Sequence, residues 1–221
     1  MSTSSLFQVK DCAITIIATG IKARMLSELR DKLAIIHPGC IYFHFWGGRL
    51  STQFEYRDYH NDFAHWAHKY LHDDYLGERL ELINPADFDH LENLRAHLLE
   101  IVDDRLDELE YIPGTGHEYQ FHFIRSEIVV TNTKLQMAQP QELVQIIPKL
   151  STSSLFYHFI DARRRNESGE DDFTVWLKSY NGKYAALLDK IKAVDPYLIS
   201  LANVHAKLNI ITSEYFLKDV K

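Results

Sequence analysis

A nine-residue stretch occurs twice in this chain, and no other sequence feature constrains the fold as much. Residues 41–49 (IYFHFWGGR) return as residues 155–163 (LFYHFIDAR), with aromatic residues, a histidine and a final arginine in the same order. A shift of 114 residues superimposes the two stretches, and it holds without a gap from Phe7 to Arg49. Self-similarity at a fixed separation is the signature of a repeated structural unit. The sequence therefore predicts an internal repeat with pseudo-twofold symmetry.

The repeat continues beyond the nine-residue stretch with a slightly shorter spacing. A shift of 110 residues takes Asp62-Phe63 and Trp66 to Asp172-Phe173 and Trp176. We therefore predict an N-terminal half at 1–110, a linker at 111–120 and a C-terminal half at 121–221. Each half has about 100 residues, which is enough to form a hydrophobic core of its own.

The hydrophobic pattern predicts one strand and several helices in each half. The β-branched, apolar stretch 7–19 is expected to be a buried strand that ends at Gly20, and 127–133 is its copy. A lone strand leaves its backbone groups unpaired, so we expect the two strands to pair with each other. Helical spacing predicts helices over 23–36, 74–83, 86–109, 140–150, 184–194 and 196–216, whereas 50–60 is typical of a loop.

Side chains that cap helices mark three further helix starts. Asn61 and Asp171 precede the two Asp-Phe pairs, and Ser151 precedes the second nine-residue stretch, which favours a short helix there. The predicted fold class is α+β and mostly helical. It consists of two tandem pseudo-symmetric halves, each with one strand and about four to five helices, packed as one body.

Charge and cysteine content exclude several classes of function. The formal net charge is −7 and the only basic run is Arg163-Arg164-Arg165, so we expect no nucleic-acid partner. No apolar stretch of about 18 residues occurs and the N-terminus does not resemble a signal peptide, so we expect no membrane partner. Cys12 and Cys40 have serines in the other copy, at Ser126 and Ser154. A disulfide framework is therefore not expected, and the interpretation is a cytoplasmic protein.

The region from Thr19 to Trp66 resembles a bacterial and archaeal family that is a domain of unknown function, number 5752. The resemblance is carried by Ala18-Thr19-Gly20, Leu26-Ser-Glu-Leu29, Tyr42-Phe-His-Phe45 and Asn61-Asp-Phe-Ala-His-Trp66, and in the second copy by Leu155-Phe-Tyr-His-Phe159, Arg163 and Asp172-Phe173-Trp176. It covers nearly the whole chain and implies the repeated architecture. It implies no activity, and we expect no cofactor.

The polar residues kept in both copies are the candidate ligand-binding residues, and the sequence gives no catalytic set. They are His44, Arg49 and Asp62 in the first half, and His158, Arg163 and Asp172 in the second. A histidine can act as a base or ligand contact, and arginine captures carboxylate or phosphate. The alternative is structural: each imidazole is buried and hydrogen-bonded to its aspartate, and each arginine pairs within the chain.

A row of histidines at helical spacing is a weak candidate for a metal site. His65, His68 and His72 share one side of a predicted helix, and such spacing suits a divalent ion. The second copy has Val175, Lys178 and Gly182 at these positions. A solvated face is the favoured interpretation, and no metal site is predicted.

Three functions stay open from the sequence. The first is a binding or regulatory module that holds a small anionic or polar ligand between its halves. The second is a protein-interaction subunit, with a homo-oligomer as one form. The third is a hydrolase or transferase that uses His44 or His158 as acid and base.

Overall fold

The computed structural model describes residues 6–50, 58–197 and 199–217. Most of the predicted loop at 50–60 therefore lies outside the described residues, as does Leu198 near the start of the last predicted helix.

Two long strands form the only sheet within the described residues. Strand β1 (Phe7–Ala23) pairs with strand β2 (Phe121–Met137) in an antiparallel ribbon, which confirms the predicted pairing. Both strands extend beyond the predicted limits. Gly20 was expected to end β1, but it lies inside the strand with φ +76°. Glycine tolerates this conformation because it has no Cβ, so the strand continues to Ala23.

Helices account for most of the remaining described residues. Their bounds are α1 (Leu26–Leu33), α2 (Pro38–Trp46), α3 (Asp62–Leu71), α4 (Asp74–Glu81), α5 (Leu91–Glu108), α6 (Leu143–Ile146), α7 (Thr152–Leu155), α8 (Ala162–Arg165), α9 (Asp172–Lys178), α10 (Ala185–Lys192) and α11 (Leu201–Leu217). A π-helical segment, Phe156–Asp161, joins α7 to α8. None of the described helices is both long and apolar enough to cross a bilayer. The mostly helical α+β class is confirmed.

Proline explains two differences between the predicted and observed helices. The helix predicted at 140–150 is divided into a 3₁₀ turn, the short α6 and a second 3₁₀ turn at Ile147–Lys149. Pro148 lies in that last turn and has no N–H to continue the helical ladder. The helix predicted at 86–109 begins only at Leu91, because Pro85 starts a separate 3₁₀ turn, Pro85–Asp87.

The strands are buried at their ends and exposed in the middle, so the expectation of a buried strand at 7–19 was wrong. Phe7, Val9 and Cys12 are buried at one end of β1, and Ala23 at the other. Ile16 in the middle is 62% exposed. A two-stranded ribbon buries a residue only where helices cover it.

The chain divides into two compact units, and each unit contains part of β1 and part of β2. One unit is Ile14–Glu127, and the other combines Met1–Ala13 with Ile128–Lys221. The beginning of β1 thus belongs to the unit that contains the helices after β2. The halves at 1–110 and 121–221, with the linker at 111–120, describe the repeat in the sequence and stay a prediction.

Candidate functional site

Both ring nitrogens of His44, the first of the two predicted site histidines, have hydrogen-bond partners. His44 lies on α2, and its Nδ1 is 2.9 Å from Oδ2 of Asp62, the first residue of α3. The backbone N–H of Ile124 donates to its Nε2 (3.1 Å). Because Nε2 accepts, the proton of the neutral ring is on Nδ1 and is donated to Asp62. His44 is buried, so this bridge ties β2 to two helices of the same unit.

Aromatic rings enclose His44. The ring of Phe121 lies 4.7 Å from the imidazole and stacks on Phe63 at 5.1 Å between centroids. Trp66 packs against Phe121 and donates its indole N–H to the carbonyl of Tyr119. The surroundings of His44 are therefore a packed aromatic core.

The second histidine has the same partners at the shifted positions. His158 lies in the π-helical segment, and its Nδ1 is 2.7 Å from Oδ2 of Asp172, the first residue of α9. The backbone N–H of Lys10 donates to its Nε2 (2.8 Å). Phe7 packs against the imidazole, with 5.0 Å between ring centroids, and stacks on Phe173. Both predicted histidine–aspartate pairs are therefore formed, each within its own unit.

Asp172 accepts hydrogen bonds from three side chains. Its Oδ2 accepts from His158 and from Nη2 of Arg165 (2.9 Å), and its Oδ1 accepts from Asn166 (3.1 Å). Burial raises the pKa of the Asp172 carboxyl, but these hydrogen bonds outweigh burial and hold the pKa below its usual value. Asp172 is therefore an ionised carboxylate whose charge is balanced by its neighbours.

A buried carboxylate next to this pair anchors two arginines. Asp161, which is 1% exposed, ends the π-helical segment and binds Arg164 and Arg165 through its two oxygens. The guanidinium of Arg165 also lies 3.9 Å from the centroid of the Tyr157 ring. The aligned position in the sequence repeat is Gly47, which offers no carboxylate there.

A cleft of about 340 Å³ opens beside the second pair. Its lining comprises Leu6, Phe7, Gln8, Lys10, Tyr157, His158, Arg165, Asp172, Val175, Trp176 and Ser179, all from one unit. This volume lies within the usual range for small-molecule sites, which is about 300–1,000 Å³. A π-helical segment borders the cleft, and such segments occur frequently at functional sites.

Two cationic side chains of the cleft have donors left over. Within the described residues, the ammonium of Lys10 makes no hydrogen bond or ion pair, and Nη1 of Arg165 donates no hydrogen bond. The hydroxyl of Ser179 donates to the carbonyl of Trp176, which leaves its oxygen able to accept. The cleft can therefore donate hydrogen bonds and positive charge to an anion.

The two predicted arginines pack on aromatic rings rather than on the cleft. Arg49 is buried, with its guanidinium carbon 5.3 Å from the centroid of Trp46. Arg163 stands 5.3 Å from the centroid of Phe159 and donates from Nε to the carbonyl of that residue. Arg163 is not among the residues that line the cleft. Each arginine covers an aromatic ring of the preceding turn, which stabilises the chain locally.

The histidines that were weak candidates for a metal site have separate surroundings on α3 and at its end. Nδ1 of His68 is 2.6 Å from Oδ1 of Asp74, and His65 makes an edge contact with Tyr70. His72 ends the helix in the left-handed conformation, with φ 55°. Across the described ranges, no three His, Cys, Asp or Glu side chains converge as a metal site would require.

A second hollow, of about 510 Å³, lies in the other unit and is a weaker candidate. It is formed by the start of α1 and the segment around Tyr111 and Gly114. The charged side chains in its lining are Arg24 and Glu28, which have opposite signs, and both are exposed. No excess charge selects a ligand there, so the smaller cleft is the better candidate site.

Sequence reasoning missed Lys10 and Arg165 because it looked for residues shared by both copies. Lys10 of the first copy aligns with Ile124 of the second, and the backbone N–H of each donates to a histidine. The signal that would have found the cleft was the difference between the copies. A cation that replaces an aliphatic residue at an aligned position needs a local reason.

The fold and these contacts define a mostly helical α+β protein with two buried histidine–aspartate pairs and one cationic cleft. The chain belongs to the family described as "Family of unknown function (DUF5752)", whose sequence profile matches residues 4–213. The resemblance noted from the sequence is thereby confirmed. The solved structure of OrfY from Thermoproteus tenax is similar, with a TM-score of 0.83, 23% identity and 97% coverage of each chain. At that identity the similarity establishes the fold alone. No curated protein matches the chain.

Proposed function

We propose that the protein is a binding module for a small organic or inorganic anion, and that the anion occupies the cleft beside His158. The observation that carries the proposal is the pair of cations, Lys10 and Arg165, which have donors that none of the described residues occupies. An arginine donates to carboxylate or phosphate in a fixed geometry, and a lysine adds a mobile charge. The chain is acidic overall, whereas the cleft lining holds two cations and one carboxylate, Asp172, which already accepts hydrogen bonds from its neighbours.

The histidines support the fold in this proposal and do not contact the ligand through a ring nitrogen. His158 has Asp172 at Nδ1 and the Lys10 backbone at Nε2. His44 has the equivalent two partners. A general base needs a free lone pair within reach of the substrate, which argues against the hydrolase or transferase interpretation.

Three further interpretations of the sequence accompany this proposal: the internal repeat, the cytoplasmic location and the interaction subunit. Gene doubling explains why both histidine–aspartate pairs use the same atoms, while the cleft residues differ between copies. Cys12 and Cys40 are both free thiols, which fits a reducing cytoplasm. The interaction-subunit interpretation, including a homo-oligomer, stays a prediction that light scattering can test.

The proposal is tested by titrating the protein with anions in a calorimeter at low ionic strength, where charge effects are least screened. The probes are acetate, inorganic phosphate, phenylacetate and phenyl phosphate. Lys10→Met removes the ammonium but keeps the backbone N–H that binds His158, so the fold is spared. A charge-assisted hydrogen bond is worth about 1.5–3 kcal/mol, so we expect Lys10→Met to weaken binding about tenfold or more.

Lys134→Met is the matched control, because Lys134 is an exposed lysine of β2 in the same unit and does not line the cleft. It removes the same charge and should leave affinity unchanged. Arg165→Met is avoided because it would strip a partner from the buried Asp161. The proposal is wrong if none of the four probes binds, or if Lys10→Met and Lys134→Met have equal effects.

A further inference from the structure

The rim of the cleft is apolar, and this property restricts the class of anion. Leu6 is 46% exposed and Val175 is 40% exposed, and both line the cleft with the two cations. When a ligand covers aliphatic side chains at the edge of a cationic cleft, apolar surface leaves water and the free energy of the complex is lowered. An inorganic ion would leave them exposed.

The same rim position is polar in the first copy. Val175 aligns with His65 on the corresponding helix, and His65 contacts Tyr70 there. Lys10 likewise aligns with Ile124. Lys10 lies in the first copy of the repeat and Val175 in the second, but both belong to the unit that contains His158. That unit therefore has a cation where the other unit has Ile124, and an aliphatic residue where the other unit has His65. The two changes together produce a cleft with a charged part and an apolar part.

The charge of Asp172 does not cancel the cationic part of the cleft. Its oxygens receive hydrogen bonds from His158, Arg165 and Asn166, so the carboxylate is already balanced. The ammonium of Lys10 is left as the uncompensated charge within the described lining. The hydroxyl oxygen of Ser179 can also accept a hydrogen bond from a polar group of the ligand.

From these observations we propose that the ligand is an amphipathic organic acid. Its carboxylate or phosphate group meets Lys10 and Arg165, and its aliphatic or aromatic body lies against Leu6 and Val175. A volume of about 340 Å³ accommodates such a body together with the acid group. This ligand class rests on the proposed function, because it requires anion binding at the same cleft.

The test compares each bare anion with its aryl counterpart: acetate with phenylacetate, and inorganic phosphate with phenyl phosphate. We expect the aryl anion of at least one pair to bind about tenfold more tightly, because the ring removes apolar surface from water. The tighter of the two aryl anions identifies the acid group as carboxylate or phosphate. Calorimetry with the full chain gives both dissociation constants.

Val175→Ser should reduce this preference for the aryl anion by about threefold or more, and Leu6→Ser should act in the same direction. Val129→Ser is the matched control, because Val129 is an exposed valine of the same unit and lies outside the cleft lining. Lys10→Met should weaken bare and aryl anions by the same factor and leave the preference unchanged.

The outcomes separate the two proposals. If Lys10→Met weakens binding but aryl and bare anions bind equally, the ligand class is wrong and the anion site stands. The ligand class is also wrong if Val175→Ser leaves the preference at the value found for Val129→Ser. If Lys10→Met has no effect on any probe, the anion site itself is wrong.

Discussion

Asp171 and Asp172 are neighbours in sequence, but their surroundings shift the pKa values of their carboxyl groups in opposite directions. Asp171 is 2% exposed and caps α9 by accepting from the backbone N–H and the hydroxyl of Thr174. Burial raises the pKa of Asp171, whereas the donors around Asp172 overcome burial and lower its pKa. Ionisation of Asp171 therefore opposes folding, and ionisation of Asp172 favours it.

Exchanging each aspartate for asparagine should separate these effects. At pH 7 we expect Asp172→Asn to lower the free energy of unfolding by about 2 kcal/mol, because charge-assisted hydrogen bonds are lost. Asp171→Asn should change it by less than about 1 kcal/mol, because asparagine is also a good N-cap. Urea unfolding measures both values, and equal losses in the two variants would contradict this account.

The pH dependence of the two variants should also differ in sign. The Asp172 contribution is present above the unfolded pKa of about 3.9 and is lost as the pH falls through its lowered folded pKa. Asp171 has a raised pKa, so its contribution falls as the pH rises from about 3.9 through that higher value. Asp172→Asn should therefore reduce the loss of stability in acid, and Asp171→Asn should reduce the loss on raising the pH. Unfolding curves from pH 3 to 7 test both.

The two thiols should be inert in the folded protein. Burial raises the pKa of Cys12 to about 11 and also raises the pKa of Cys40. At pH 8 about one Cys12 in a thousand is then a thiolate, which is the reactive form. We expect slow reaction with DTNB in buffer and rapid reaction of both thiols in urea. Rapid native reaction would show that a thiol is more accessible than its buried position implies.

At the scale of elements, two different side chains perform the same task after the first helix of each copy. Arg95 of α5 donates to the carbonyls of Leu33 (2.5 Å) and Ile36 (2.7 Å) at the end of α1. In the second copy, His205 of α11 donates to the carbonyl of Ile147 (2.6 Å). A helix end leaves carbonyl groups without donors from the helix itself, and Arg95 supplies donors to two of them. The carbonyl of Ile147 also accepts from the backbone N–H of Leu150, so His205 is its second donor. Sequence comparison missed this equivalence because arginine and histidine do not look alike.

The arginine cap is a stability prediction with a control in the same unit. Arg95→Met should lower the free energy of unfolding by about 2–3 kcal/mol, since it leaves buried carbonyls without a donor. Arg30→Met should cost less than about 1 kcal/mol, because the pair of Arg30 with Asp103 is about 40% exposed on each side. Chemical denaturation monitored by circular dichroism measures both. A loss for Arg30→Met as large as that for Arg95→Met would refute the capping role.

At the scale of the whole chain, each compact unit contains part of both strands, and this determines where the chain can be cut into fragments that fold. The unit Ile14–Glu127 contains Ile124 and Phe121, which hold and cover His44. A fragment cut at the predicted half, 1–110, lacks both. Its His44 would lose the donor at Nε2, and Phe63 would lose the ring stacked on it.

We therefore expect the fragment 14–127 to unfold cooperatively and to keep a near-ultraviolet circular dichroism signal. The fragment 1–110 should show weaker tertiary signals, because a buried acceptor without a partner costs about 1–3 kcal/mol and loss of a buried phenylalanine costs about 3–5 kcal/mol. Thermal melts of the two fragments test this. If 1–110 melts as sharply as 14–127, the predicted halves are the better folding units.

The sequence by itself determined the mostly helical fold class and the pairing of the two strands, and it left the partnership of each histidine with its aspartate as one of two open interpretations. Those features follow from local periodicity, capping residues and residues shared between copies, which are written along the chain. Only the tertiary structure decided that strand backbones occupy the second nitrogen of each imidazole and that Lys10 and Arg165 line one cleft. These arrangements bring together residues about 80 to 155 positions apart, and no local pattern encodes a distance of that kind.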